Sequence, residues 1–289
     1  MKQQFGGEWT EKKLECVKKY LEAYTKILSK KSYQYAYIDA FAGTGYRELK
    51  DDNTDIILFP ELIETEPEKF LSGSVQNALL VDPPFKKYIF IERDSDKCKE
   101  LENTINNLGI DKNKIKIVNE DANTFLMYIC ENNWSNHRAV LFLDPFGMQV
   151  KWSTIEAIAK TQAIDMWLLF PLGIGVSRLL KKDGLIKDSL KNKLDDIFGE
   201  TEWFNKFYRV SIDETLFGEQ KSIEKTVDFD LISKYFIDRL KKIFSKVANN
   251  PAKLNNSKNV PLFLLCFAAG NPKGANTAVK IAEDILKRI

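Results

Sequence analysis

Three features of the chain predict an α/β fold built on a doubly wound, mostly parallel, seven-stranded Rossmann-like sheet. Short apolar runs alternate with helical patterns between Tyr35 and Phe170. A loop bearing Gly43 and Gly45 follows the first run directly. Asp39, Glu92, Asp121 and Asp144 all fall at or just past the ends of such runs. Sheets of this class bind ligands beyond the carboxyl ends of their strands, so the acids mark the expected site.

Each element has its own signal. Leu14, Val17, Leu21, Tyr24 and Leu28 recur at helical spacing after Thr10, a candidate N-cap, and give a leading helix expected to be structural. The first strand, through Tyr35–Ile38, ends in Asp39 and passes into Ala40-Phe41-Ala42-Gly43-Thr44-Gly45. Glycine suits such a loop because the backbone turns sharply and must admit a ligand where a Cβ would intrude. Residues 46–72 are polar and acidic and read as an insertion, either an ordered lid or a mobile excursion. A helix opens at Gly73-Ser74. Tyr88–Ile91 is the second strand, 94–108 the next helix, and Ile115–Val118 the third strand. An amphipathic helix follows Asp121-Ala122. The fourth strand, Ala139–Leu143, stops at Asp144-Pro145-Phe146-Gly147; a helix over 152–160 and a fifth strand, Met166–Phe170, follow.

The alternation then fails. Residues 173–259 read as a mainly helical insertion subdomain, leaving 1–172 plus 260–289 as the principal domain. A late strand, Val260–Ala268, has an expected hairpin partner within 244–254, and a last helix covers 277–289.

Composition narrows the class. Hydrophobic residues at 44% and charged residues at 29% suit a globular protein of one to two domains. A net charge of +2 gives no whole-molecule signal for nucleic acid. No apolar run approaches the roughly 20 residues of a membrane span, and the N-terminus lacks a signal-peptide core, so a cytoplasmic location is expected. Cys16, Cys98, Cys130 and Cys266 show no paired spacing, so no zinc or iron–sulfur motif is read from them. The single histidine, His137, precedes the fourth strand, on the side away from the expected site.

The ligand chemistry follows by comparison. A nicotinamide site wants three glycines and an acid about 20 residues on. Here Glu48 stands at the third glycine position. The loop also has no Lys followed by Ser or Thr, which excludes a P-loop. A ligand with a ribose and an amine but no phosphate fits better, and S-adenosylmethionine is one. Asp39 and the loop through Phe41, Ala42, Gly43 and Gly45 would face its amino-acid end. Glu92, followed by Arg93, would accept the ribose hydroxyls, and Asp121, followed by Ala122, the adenine amine. Each acid could instead cap the next helix.

Asp144, Pro145 and Phe146 suit a planar substrate bearing an exocyclic amine. The carboxylate and the Pro145 carbonyl would accept from the amine, and Phe146 would stack on the ring, a contact of about 1–3 kcal/mol. Methyl transfer needs mainly proximity and orientation. The alternative is an Asp-Pro turn that merely opens the next helix.

The loop DAFAGTG, the later GSVQNAL, the acid of FIERD, FLDPFG followed by a tryptophan, and PLFLLCFA with its final helix resemble the three-Cys-motif partner family across roughly residues 10–289. The resemblance implies a class I S-adenosylmethionine-dependent methyltransferase-like domain, encoded beside a partner protein with a three-cysteine, radical-type cluster motif. The DPFG tetrad also resembles that of tRNA guanine-N2 dimethyltransferases, and it departs from the adenine-N6 DPPY pattern by lacking the second proline. A non-catalytic partner or sensor module of the same fold is the competing expectation.

Two basic runs bear on a nucleic-acid partner, tRNA or DNA. Arg178, Lys181, Lys182, Lys187, Lys191 and Lys193 form the first; Arg239, Lys241, Lys242, Lys246, Lys253 and Lys258 form the second. They read either as a phosphate-tracking surface or as solvated helix faces. Trp203, Phe204 and Phe207 read as subdomain core or as base-stacking platforms.

Overall fold

The computed structural model describes residues 8–43, 68–215 and 218–289. In chain order its first half contains α1 (Glu8–Leu28), β1 (Gln34–Asp39), α2 (Glu68–Leu79), β2 (Lys87–Glu92), α3 (Ser95–Asn107), β3 (Ile115–Asn119), α4 (Ala122–Cys130), β4 (His137–Leu143), α5 (Trp152–Lys160) and β5 (Ile164–Phe170). The second half contains a π-helical turn (Leu172–Ser177), α6 (Asp188–Phe198), α7 (Trp203–Phe207), β6 (Tyr208–Thr215), β7 (Gly218–Lys225), α8 (Phe229–Ile243), β8 (Lys246–Val247), β9 (Ala252–Asn255), β10 (Pro261–Ala269) and α9 (Ala275–Leu286).

The main sheet runs β3-β2-β1-β4-β5-β10, with the first five strands parallel and β10 antiparallel to β5. The seventh position, on the far edge of β10, is shared by β8 and β9, so eight strands fill the seven expected places. The chain winds outward from β1 through β2 to β3 and then returns to β4 on the other side of β1. That reversal opens a crevice between the carboxyl ends of β1 and β4.

Side chains alternate across the pleat and feed two cores. Tyr37, Phe90, Phe142, Trp167 and Phe267 pack under α1, α2, α3 and α9. Ile38, Ile91, Leu141, Met166 and Phe170 pack under α4, α5, α6 and α8. All seven residues of β5 are buried, as a strand covered on both faces requires. Among them is Asp165, which accepts from Tyr20 Oη at 2.8 Å and from the Gly270 amide at 3.2 Å, tying α1 to the sheet. Burial holds its carboxyl up at about 6.

Several expectations are revised. Thr10 lies inside α1 rather than capping it. The helix expected to open at Gly73-Ser74 begins at Glu68, and the rest of the presumed insertion, 46–67, lies outside the described residues, as does Gly45. Segment 173–259 carries α6, α7 and α8 but is not purely helical. It holds the β6–β7 hairpin and contributes β8 and β9 to the main sheet. Phe236 of α8 stacks on Phe170 of β5 with ring centroids 3.9 Å apart. Trp203 and Phe207 are fully buried in the same core, which favours the core reading of these aromatics. Among the described residues, no helix is long and apolar enough to cross a membrane.

Candidate active site

Register places the acids together. Asp39 sits opposite Phe142 at the end of β1, so Asp144, two residues on, lies just beyond the same edge. Asp39 is 1% exposed. Its carboxylate accepts from Tyr37 Oη at 3.3 Å and from the Phe41 amide at 3.2 Å, with the Ser74 side chain as a further partner. Burial, and then the Asp144 charge, raise its carboxyl to about 7. A carboxylate held this way becomes ionised readily when a cation is brought to it.

Glu92 ends β2 and is also buried, at 2% exposure. Its Oε1 accepts from the Asp94 amide at 2.8 Å. The turn from β1 passes directly over it, with the Ala42 amide donating to Ile91 O at 3.0 Å. A Cβ on Gly43 would stand 2.5 Å from Glu92 Oε2, so the residue at 43 has no room for a side chain. The glycine is thus explained by the backbone's close approach to an acid.

Asp121 caps α4, accepting from the Thr124 amide at 3.0 Å and Thr124 Oγ1 at 3.2 Å. The capping alternative is therefore realised, while the exposed carboxylate still faces the crevice. A cavity of about 470 Å³ brings Phe41, Glu92, Arg93, Asp121 and Ala122 together. That size is in the ordinary range for small-molecule sites, roughly 300–1,000 Å³. Asp39, Ala42, Gly43, Asp144, Pro145 and Phe146 do not line it. Asp39, Ala42, Gly43, Asp144 and Pro145 are buried, and Phe146 is half-buried against the α1-side core.

The loop after β4 is shaped by the last residue of the motif and by residues beyond it. Gly147 has φ +67°, the left-handed region that favours glycine. Gln149 Oε1 accepts from the Phe146 amide at 3.1 Å. Asn123 Nδ2 donates to Gln149 O at 2.9 Å, and its Oδ1 accepts from the Lys151 amide at 3.0 Å and Thr154 Oγ1 at 2.9 Å. Asn123 therefore clamps this loop to the start of α4. Its position directly after Asp121-Ala122 was the available sequence signal.

Lys13 is the main residue missed. It projects from α1 and is 2% exposed, and its Nζ lies 2.6 Å from Asp144 Oδ2 and 5.0 Å from the Trp9 ring centroid. Burial lowers its pKa, opposed by the Asp144 and Asp39 carboxylates. Asp144, expected to face a substrate amine, instead faces a lysine amine. The leading helix is part of the site and not merely a cover for the sheet.

The basic runs are partly neutralised. Arg239 pairs with Glu200 at 2.6 Å and its guanidinium lies 4.4 Å from the Trp152 ring centroid; Lys253 pairs with Asp230, and Lys241 with Asp238. Acids distant in sequence supply part of that compensation. In the first run Lys181, Lys182 and Lys187 are exposed, and Lys193 lines the crevice with Arg93 and Lys151. His137 begins β4 at the opposite end of the sheet, edge-on to Trp134.

Similar solved structures include a Legionella pneumophila protein of the DUF519 family, with a TM-score of 0.46 at 12% identity over 95% of this chain and 91% of that one. An S-adenosylmethionine-dependent methyltransferase from Clostridium acetobutylicum matches with a TM-score of 0.37 at 12% identity, covering 88% and 92%. An rRNA methylase from Streptococcus thermophilus matches with a TM-score of 0.27 at 12% identity, covering 72% and 93%. No protein-family model and no curated protein matches the chain.

Proposed function

We propose that the protein is an S-adenosylmethionine-dependent methyltransferase acting on an exocyclic amino nitrogen of a nucleobase in nucleic acid. The observation that carries this reading is the joined arrangement at the β1–β4 crevice. A side-chain-free turn at Gly43 lies against the buried Glu92 carboxylate, and Asp144 stands on the neighbouring strand tip. The donor set suits the ligand: Glu92 for vicinal hydroxyls, Asp121 for an adenine amine, and buried Asp39 for an ammonium. When bound, S-adenosylmethionine supplies a methyl group on a sulfonium, a good leaving group.

The chain's own contribution is orientation. Asp144 and the Pro145 carbonyl would hold the acceptor amine, and Phe146 would stack on the base once its half-buried ring turns outward. Binding of the acceptor at Asp144 requires the Lys13 ammonium to withdraw, because the pair is sealed at 3% and 7% side-chain exposure. Arg93, Lys151 and Lys193 at the crevice, with exposed Lys181, Lys182 and Lys187, support a phosphate-bearing substrate such as tRNA or DNA.

A second reading, a partner or sensor module working with a three-cysteine, radical-type protein, is favoured by the closed Lys13–Asp144 pair. Calorimetric titration of S-adenosylmethionine into wild type and Glu92→Gln tests the cofactor site. Micromolar binding that weakens at least tenfold in the variant is expected; equal affinity overturns the assignment of Glu92. Turnover on tRNA or duplex DNA, abolished in Asp144→Asn with binding retained, separates the enzyme from the sensor.

A further inference from the structure

Lys13 Nζ is the amine that now sits on Asp144, at 2.6 Å from Oδ2. It is a primary amine, enclosed, and within the electrostatic reach of Asp39 as well. The reading above assigns the acceptor position to whatever amine donates to Asp144. In this structure that group belongs to the protein.

We propose that Lys13 occupies the methyl-acceptor position and is itself methylated on Nζ when S-adenosylmethionine is bound without an external acceptor. The inference rests on the methyltransferase reading of the site and adds a modification site on the leading helix.

The step balances with groups already in place. The Lys13 ammonium transfers a proton to the Asp144 carboxylate, to which it is hydrogen-bonded. The Nζ lone pair then forms a bond to the sulfonium methyl carbon. The carbon–sulfur bond breaks with its electron pair staying on sulfur, giving S-adenosylhomocysteine and a methylammonium side chain. Asp144 loses its proton to solvent once the methylated side chain withdraws and opens the sealed pair. Burial disfavours the ammonium form of Lys13 and so favours the first transfer, against the pull of the Asp144 and Asp39 carboxylates. Lys18 and Lys19, on the same helix, are half-exposed and exposed, and the carboxylate that Lys19 meets, Glu15, is itself on the surface and away from Asp144.

The test incubates the purified full-length protein with methyl-labelled S-adenosylmethionine alone and maps the label by fragmentation mass spectrometry. One methyl group on Lys13, with Lys12, Lys18 and Lys19 unlabelled, is expected. Asp144→Asn should lose the label while still binding S-adenosylmethionine. A binding measurement is the second readout. Sinefungin, which carries an amine where S-adenosylmethionine carries its methyl-bearing sulfur, should gain at least tenfold over S-adenosylhomocysteine in Lys13→Met relative to wild type, because the ammonium repelling its amine is gone. Ligand binding with no label on Lys13, or label spread equally over the exposed lysines, overturns the inference. An unchanged sinefungin preference also counts against it, by removing Nζ from the transfer position. If S-adenosylmethionine does not bind at all, the methyltransferase reading itself fails and this inference with it.

Discussion

Gly43 and Glu92 are in direct contact at the carboxyl ends of β1 and β2, such that a side-chain carbon at 43 would lie 2.5 Å from Glu92 Oε2. The neighbour is a buried carboxylate already hydrogen-bonded to the Asp94 amide, so it has little freedom to withdraw. Gly43→Ala should therefore displace Glu92, weakening S-adenosylmethionine binding by at least tenfold and lowering the melting temperature. Calorimetry on the variant checks this; unchanged affinity would separate the glycine turn from the cofactor site.

Asp39 should make stability and ligand binding depend on pH. Its folded carboxyl is raised to about 7, first by burial and then by Asp144, against the Phe41 amide, Ser74 and Tyr37. A raised acid favours folding fully below the unfolded value, near 4, and this contribution is lost as pH climbs through about 7. Asp39→Asn removes the loss, so its melting temperature should rise relative to wild type between about pH 5 and pH 8. A ligand ammonium draws the proton off, so wild-type affinity should increase over about pH 6 to 8 and the variant should stay flat. Melting curves and titrations across that range decide both points.

Asp121 has an observed capping role and a proposed ligand role. Asp121→Ala removes the N-cap of α4 and should cost about 1 kcal/mol of stability. If it also accepts the adenine amine, affinity for S-adenosylmethionine falls by about tenfold, a further 1.4 kcal/mol. Comparison with Asp121→Ser, which keeps a capping oxygen, isolates the second effect.

Phe236 tests whether residues 173–259 can be treated as a separate unit. Its ring stacks on Phe170 inside the core beneath α4, α5 and α6. Phe236→Ala should destabilise the whole protein by roughly 3–5 kcal/mol in one cooperative transition. Two resolved transitions, with the sheet unaffected, would restore an independent subdomain.

The boundary between sequence and structure shows in these same residues. Strand ends such as Asp39, Glu92 and Asp144 were legible because a buried parallel strand is a short apolar run, and the first polar residue marks where it leaves the core. Tyr88–Ile91 and Met166–Phe170 each extended by a residue or two in the structure, since pairing continues past the apolar stretch. Within 173–259 the helices follow their apolar spacing, whereas the strands between them are less legible. Strand β6 alternates Tyr208, Val210 and Ile212 with Arg209, Ser211 and Asp213, a period of two readable in the sequence, whereas β7 is almost wholly polar and β8 has two residues.

By itself the sequence determined the alternation of strands and helices, the glycine turn after β1, and the acids at the strand tips, because each follows from local periodicity and backbone sterics. Only the tertiary structure decided what those acids face. Lys13 lies 131 residues from Asp144 in the chain yet closes on it at 2.6 Å, and Glu200 reaches Arg239 across 39 residues. Charge pairing between distant segments has no local pattern. It is set by how helices settle on the sheet to bury their apolar faces, and that packing turned a presumed covering helix into a wall of the site.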